Sequence, residues 1–255
     1  MIDMHSHIIY GVDDGAKTEE MTINMLKMSM ASGVKKIVAT PHYMKGRFNV
    51  PYDQIKDKVK ELNKLASKNG IDVEIYAAQE VYYTERILEY YKNGEIGTIN
   101  NGKYMLIELP MIEFDLREIT DNLYELTMLG VKPIIAHPER YIPFIKKPSL
   151  INELIEEGYL FQLNLGSLMG DFGKEVKNLA KQYLENGVYS VIGSDGHSDK
   201  NRTTDLTEGL KYISENHKEN FEKDGESILK DKDVKFNGFK IKEKRKFLGI
   251  FWNEK

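Results

Sequence analysis

His5 and His7 stand two residues apart in Asp3-Met4-His5-Ser6-His7. On an extended strand that spacing puts both imidazoles on one face, where they can share a cation. Such pairs also occur in ordinary cores, so the pair alone decides nothing. Its companions are His42 in Thr40-Pro41-His42, His137 in Ala136-His137-Pro138-Glu139-Arg140, and Asp195 with His197 in Ser194-Asp195-Gly196-His197. Carboxylates join them. Glu80 ends Ala77-Ala78-Gln79-Glu80, Glu108 lies within Leu106-Ile107-Glu108-Leu109-Pro110, and Asp14 belongs to the polar turn Gly11-Val12-Asp13-Asp14-Gly15. An ionisable group inside such an apolar run is costly to bury unless it is paired or coordinates a metal. The chain has no cysteine, which removes disulfides, thiolate ligands and a cysteine nucleophile together. A catalytic metal must therefore be held by His, Asp and Glu, whose nitrogen and oxygen donors suit Mn, Mg, Zn or Fe.

The elements that position these residues are legible from the apolar pattern. Seven short runs rich in β-formers, at residues 1–4, 36–40, 73–78, 104–109, 132–136, 160–165 and 189–193, alternate with stretches of helical spacing. That alternation predicts a parallel sheet and an α/β fold. Helices are predicted over 18–32, 52–67, 116–129, 149–156 and 174–184, each followed by a glycine that suits a helix stop. With these boundaries, five of the six histidines, with Glu80, Glu108 and Asp195, fall at or just beyond strand C-terminal ends. In parallel α/β barrels that edge carries the active site, because its loops converge on one mouth. Packing or solvation alone does not require this placement, so a metal-binding rim is the expectation. Other roles stay open residue by residue. Asp14 suits an Asx turn or a helix cap, with Asp13 competing for its place; Glu108 suits a pair with Arg140; His217, in a charged stretch, reads as a surface residue.

The chain has 255 residues, the usual length of one barrel, with 41% apolar and 30% charged residues and a net charge of −4. One domain over 1–255 is expected, and no long basic stripe points to nucleic acid. No apolar run approaches the roughly 20 residues that span a bilayer, and the N-terminus has no basic region followed by an apolar stretch, so a cytoplasmic protein is expected. The character changes from about Gly225. Residues 235–255 carry seven basic and two acidic residues, a net of +5, and include Phe247-Leu248-Gly249-Ile250-Phe251-Trp252. This segment reads as an edge hairpin or helix packed on the barrel, or as a basic-aromatic tail for an anionic surface. Asp231-Lys232-Asp233 follows no apolar strand and is not read as an aspartyl-phosphate site.

Taken together, these segments resemble the PHP (polymerase and histidinol phosphatase) superfamily over about residues 1–215. The opening from His5 to Gly15 and the Glu80-Val81-Tyr82-Tyr83 segment are similar to the manganese-dependent protein tyrosine phosphatases of bacterial capsule and exopolysaccharide operons. The resemblance implies a distorted (β/α)7 TIM-like barrel with a metal site at the C-terminal mouth of its strands. It implies three divalent ions, Mn first, with Fe, Zn or Mg as other candidates. His5, His7, Glu80 and Asp195 would hold the first ion; Glu80 would bridge to a second held with Glu108 and His137; Asp14, His42 and His197 would hold the third. The implied reaction is phosphotyrosine hydrolysis by a metal-bound hydroxide, with a membrane-associated bacterial tyrosine kinase as substrate. Arg140 and Arg202 are candidates to clamp phosphate oxygens through the guanidinium fork, with surface ion pairs as the competing reading. The alternatives are a histidinol-phosphate phosphatase of the same superfamily, an amidohydrolase-like barrel, and a non-enzymatic scaffold that keeps metals for structure. The second commonly carries a carboxylated lysine where this chain has Glu108.

Overall fold

The computed structural model describes residues 1–243 and the backbone of 246–247 and 250–251. Its strands are β1 (Ile2–Ser6), β2 (Lys36–Ala39), β3 (His42–Tyr43), β4 (Glu74–Ala77), β5 (Glu80–Tyr82), β6 (Tyr104–Glu108), β7 (Lys132–Ala136), β8 (Leu160–Asn164), β9 (Val191–Gly193), β10 (Lys246–Phe247) and β11 (Ile250–Phe251). Its helices are α1 (Glu19–Ala31), α2 (Tyr52–Lys68), α3 (Ile87–Lys92), α4 (Leu116–Met128), α5 (Ile142–Lys146), α6 (Ile151–Glu156), α7 (Leu165–Met169), α8 (Lys174–Glu185), α9 (Thr207–Leu210) and α10 (Glu215–Leu229). The order β1-β2-β4 forms one parallel sheet and β3-β5-β6-β7-β8-β9 another. β2 leads into β3, and β4 into β5, so the two sheets run into each other as one curled surface. At the far edge Ser6 bridges Gly196 in parallel, and the Asp195 amide donates to the His5 carbonyl at 2.8 Å. The result is an α/β fold on a curled parallel sheet.

All seven predicted strand runs are present, but two of them break. Pro41 has no amide to donate, so the ladder becomes irregular there: the Ala78 amide reaches the Ala39 carbonyl and the Glu80 amide reaches the Pro41 carbonyl, both at 3.0 Å. His42 and Glu80 consequently lie on strands of their own, in register with each other, rather than after strands. β1 runs on to Ser6, so His5 is inside it. The β1–β2 register slips between Asp3 and Ser6, the kind of irregularity that re-aims side chains next to active sites.

The inward face of the curl is graded. Ile2, Met4, Val38, Leu106, Ile134, Leu160 and Val191 form one apolar cluster with Ile228 and Leu229 of α10, and His5, His42, Glu108, His137 and Asp195 follow further along the chain towards the C-terminal mouth. The larger outer cluster packs helix faces such as Leu116, Ile119, Leu123 and Leu126 of α4 against the sheet. Asp115 caps that helix by accepting from the amides of Arg117 and Glu118, and Thr18 caps α1 by accepting from the Met21 amide.

Gly225 does not mark a boundary. α10 runs through it to Leu229, and a Cβ there would lie 3.3 Å from Ile2 Cδ1; the glycine lets the helix lie close across the lower end of β1. Beyond it, Asn152 receives the Ile241 amide and donates to the Ile241 carbonyl, fixing that stretch against α6. β10 and β11 pair antiparallel as a hairpin. Of the seven basic residues on which the anionic-surface role for 235–255 was read, Lys235, Lys240 and Lys242 are described, and Lys240 pairs with Glu156; the side chains of the other four and of residues 247–252 lie outside the described residues. Among the described residues no helix is long and apolar enough to cross a membrane.

Candidate metal centre

The side chains singled out in the sequence meet at the C-terminal mouth of the curl. His5 Nε2 and His7 Nε2 lie 3.1 Å apart, and each is 3.2 Å from Glu80 Oε2. Asp195 Oδ1 lies 3.6 Å from His5 Nε2 and 3.5 Å from His7 Nε2. On the other side of Glu80, Oε1 is 3.0 Å from His137 Nε2, which is itself 3.9 Å from Glu108 Oε1. The outer part of the cluster is His42 and His197, whose Nε2 atoms lie 3.6 and 3.5 Å from Asp14 Oδ1. Three sets of donor atoms, those of His7, Asp14, His42 and His197, of His5, His7 and Glu80, and of His42, Glu80 and Glu108, fall within 4.8 Å of one another. The structure thus brings together all nine candidates. It differs from the expected partition at His42, whose Nδ1 also faces Glu80 Oε2 at 3.0 Å.

The electrostatics show what this arrangement lacks. Glu80 Oε2 and His42 Nδ1 are buried, face each other, and have no hydrogen-bond partner. Burial opposes ionisation of Glu80, but His5, His42 and His137 outweigh it and hold the carboxyl well below its usual range. Glu108 is pushed the other way, up to about 9, by burial and then by the Glu80 charge. Burial lowers His137 to about 4, with Arg140 adding to the effect. For His7, burial is outweighed by Asp13, Asp195 and Glu80, which hold it well above the ordinary imidazole range. Two carboxylates forced apart in protonation beside buried nitrogen and oxygen atoms that lack a hydrogen-bond partner is the pattern a divalent cation relieves. The donor set, imidazole and carboxylate without thiolate, fits Mn, Fe, Zn or Mg.

A family model for capsular polysaccharide synthesis proteins of the CpsB/CapC type matches residues 1–229. The chain belongs to the CpsB/CapC family. Tyrosine-protein phosphatase CpsB of Streptococcus pneumoniae is 34% identical over 222 residues, which is 85% of this chain and 91% of that protein. Crystal structures of YwqE from Bacillus subtilis and CpsB from Streptococcus pneumoniae, described as metal-dependent tyrosine phosphatases, include a match at a TM-score of 0.88 and 29% identity, covering 95% of this chain and 100% of that one. Histidinol phosphate phosphatase from Lactococcus lactis matches at a TM-score of 0.53 and 14% identity over 88% of this chain and 93% of its own, a likeness of fold.

In this CpsB/CapC chain a second layer of residues aims the first, and sequence reasoning missed most of it. Asp13 and Asp14 divide their work: buried Asp13 takes His7 Nδ1 at 2.7 Å and the amides of His42 and Gly15 at 2.9 Å, leaving exposed Asp14 to face the mouth. A Cβ on Gly15 would lie 2.3 Å from the His7 carbonyl oxygen, so only glycine lets this turn fold onto the histidine. Gln162 Oε1 lies 2.9 Å from His5 Nδ1 and accepts from the His137 amide, and Asn164 Nδ2 donates to Asp195 Oδ2 at 2.8 Å. Asp3 Oδ1 accepts from the Ser194 amide, tying β1 to the loop that carries Asp195. The signal for Gln162 and Asn164 was present: two amides at i, i+2 in an otherwise apolar strand share its inward face. His137, Asp195 and Arg202 have φ of 30°, 49° and 50°, conformations that cost energy in non-glycine residues and cluster at functional sites.

Outer partners of metal-bound histidines typically set metal affinity by about 10- to 100-fold. Gln162→Ala should therefore weaken Mn2+ binding by roughly that factor in a competitive chelator titration, and unchanged affinity would rule out its orienting role.

Proposed function

We propose that this chain is a metal-dependent protein tyrosine phosphatase of capsular or exopolysaccharide synthesis, acting in the cytoplasm on a phosphotyrosine-bearing membrane-associated tyrosine kinase. The carrying observation is the convergence of nine donor side chains at one mouth, with Glu80 Oε2 and His42 Nδ1 buried without a hydrogen-bond partner, in a chain whose relatives at this level of identity are tyrosine-protein phosphatases. Counting β2 with β3 and β4 with β5 as single interrupted strands gives the seven positions of a distorted (β/α)7 barrel within one catalytic domain.

His5, His7, Glu80 and Asp195 would hold one ion, Glu80, Glu108 and His137 a second, and Asp14, His42 and His197 a third, with Mn2+ as the proposed metal. Such ions lower the pKa of water from about 15.7 towards 7 and polarise phosphoryl oxygens. Glu80 suits a bridging role because its two oxygens face different imidazoles, Oε2 towards His5 and His7 and Oε1 towards His137. Asp195 turns Oδ1 to the histidines and Oδ2 outward, where Arg140 Nη1 at 2.7 Å and Arg202 Nη2 at 2.6 Å hold it. Those guanidiniums are the cations at the mouth with the fork geometry to take phosphate oxygens. No thiol competes for the role of nucleophile.

A histidinol-phosphate phosphatase would share the fold and the metals. Turnover of a phosphotyrosine peptide and of histidinol phosphate, each with Mn2+, separates the two: the peptide is expected to be the better substrate by kcat/KM. The reverse preference would replace this reading with the small-molecule one, and no Mn2+-stimulated hydrolysis of any aryl phosphate would leave the scaffold.

A further inference from the structure

Phe172 belongs to none of the donor sets, yet its ring lies under both arginines: the guanidinium carbon of Arg140 is 4.3 Å from the ring centroid and that of Arg202 is 5.8 Å. The three residues come from separate loops, after β7, after α7 and after β9. The Phe172 loop is shaped for the purpose. It is a tight turn closed by the Gly173 amide on the Gly170 carbonyl at 3.0 Å, with both glycines at φ near +100° (102° and 95°), a conformation that side chains rarely adopt. The arginines that it carries share one acceptor. Arg140 and Asn164 donate to Asp195 Oδ2 at 2.7 and 2.8 Å, and Arg202 Nη2 forms an ion pair with the same atom at 2.6 Å. One carboxylate oxygen shared by two guanidiniums and an amide does not hold each guanidinium plane by itself, and long cationic side chains lose much rotamer freedom when fixed. A half-buried aromatic face beneath them supplies the second point of attachment.

We propose that Phe172 is a positioning residue of the phosphoryl site: its ring is the platform that keeps Arg140 and Arg202 converged on a single anionic point, occupied by Asp195 Oδ2 and offered to an incoming phosphate oxygen. This rests on the phosphatase reading for its catalytic consequence and on geometry alone for its effect on anion binding. A face of negative quadrupole is required, so bulk without aromaticity does not substitute.

The test compares Phe172→Leu with Phe172→Tyr in the full chain loaded with Mn2+. Leu should reduce kcat/KM for a phosphotyrosine peptide and weaken calorimetric binding of inorganic phosphate, each by roughly 5- to 30-fold, while metal content and the unfolding midpoint stay at wild-type values. Tyr should restore both. Leu behaving as wild type, Leu and Tyr impaired alike, or wild-type protein failing to bind phosphate would each overturn the proposal. Phosphate titration requires no turnover. If the Leu and Tyr pattern appears there but the wild type turns over no phosphotyrosine, the phosphatase reading fails and the platform stands; an active wild type whose phosphate affinity is unmoved by Leu sinks the platform alone.

Discussion

Asp195→Ala is expected to lose bound metal and phosphatase activity together, more completely than any other single change at the mouth. Its Oδ1 lies within 3.6 Å of both His5 Nε2 and His7 Nε2, while Oδ2 takes Arg140, Arg202 and Asn164. Removing the carboxylate deletes a candidate ligand and also strands two guanidiniums that face it. Burial disfavours the Asp195 charge, but His5, His7 and the two arginines override that and hold its pKa well below the usual range, so it is an anion throughout the working pH range. Outer-sphere partners cost about 10- to 100-fold in metal affinity or activity; a direct ligand should exceed that. Asp195→Asn keeps the shape and most hydrogen bonds, and it should retain the fold by circular dichroism while still losing metal and turnover. An Asp195→Asn protein with full metal content and near-normal kcat would show that the carboxylate only anchors arginines.

The second large effect belongs to those arginines, and here the structure sharpens what the sequence suggested. Read from spacing, Arg140 and Arg202 were candidate clamps for phosphate with a surface ion pair as the alternative; in the fold both are paired to the same atom, Arg140 part-buried and Arg202 exposed. Each is anchored by Asp195, and on the proposed reading an incoming phosphate would compete for its donors. Arg140→Ala should keep the bound metal and lower kcat on aryl phosphates by about 10²- to 10³-fold, the range for deleting one donor aimed at developing negative charge. Arg202→Ala should act in the same direction. The double variant should lose less than the product of the two, because the side chains share an acceptor and act as a unit. Metal loss in Arg140→Ala equal to that in Asp195→Ala would mean that the arginine serves the metal site rather than the phosphate.

Much of this was legible in the residues themselves. Apolar runs gave all seven strand positions because a parallel sheet covered on both faces needs near-continuous hydrophobic strands, and the ionisable residues stood out against them. What periodicity does not encode is where a ladder becomes irregular. The break at Pro41, the separate strands that carry His42 and Glu80, and the slip in β1 all come from backbone hydrogen bonding between distant segments. The helix through Gly225 was not among those predicted; the glycine in its middle suits the close approach to β1, which only the fold reveals. The outer layer was harder still. Asp13 and Asp14 are adjacent and chemically alike, and only the fold of the Gly11 to Ala16 turn decides which is buried against His7. Gln162, Asn164 and Phe172 act through partners 20 or more residues away in sequence; the i, i+2 spacing puts the two amides on the inward face without naming those partners, and nothing local announces Phe172.

The central claim is a polynuclear metal centre built from His5, His7, Asp14, His42, Glu80, Glu108, His137, Asp195 and His197. Anomalous scattering from crystals grown with Mn2+ tests it most directly. Three peaks are expected among these side chains, one bordered by His5, His7, Glu80 and Asp195, one by Glu80, Glu108 and His137, and one by Asp14, His42 and His197. Protein that hydrolyses phosphotyrosine while showing no peak at this mouth would contradict the account.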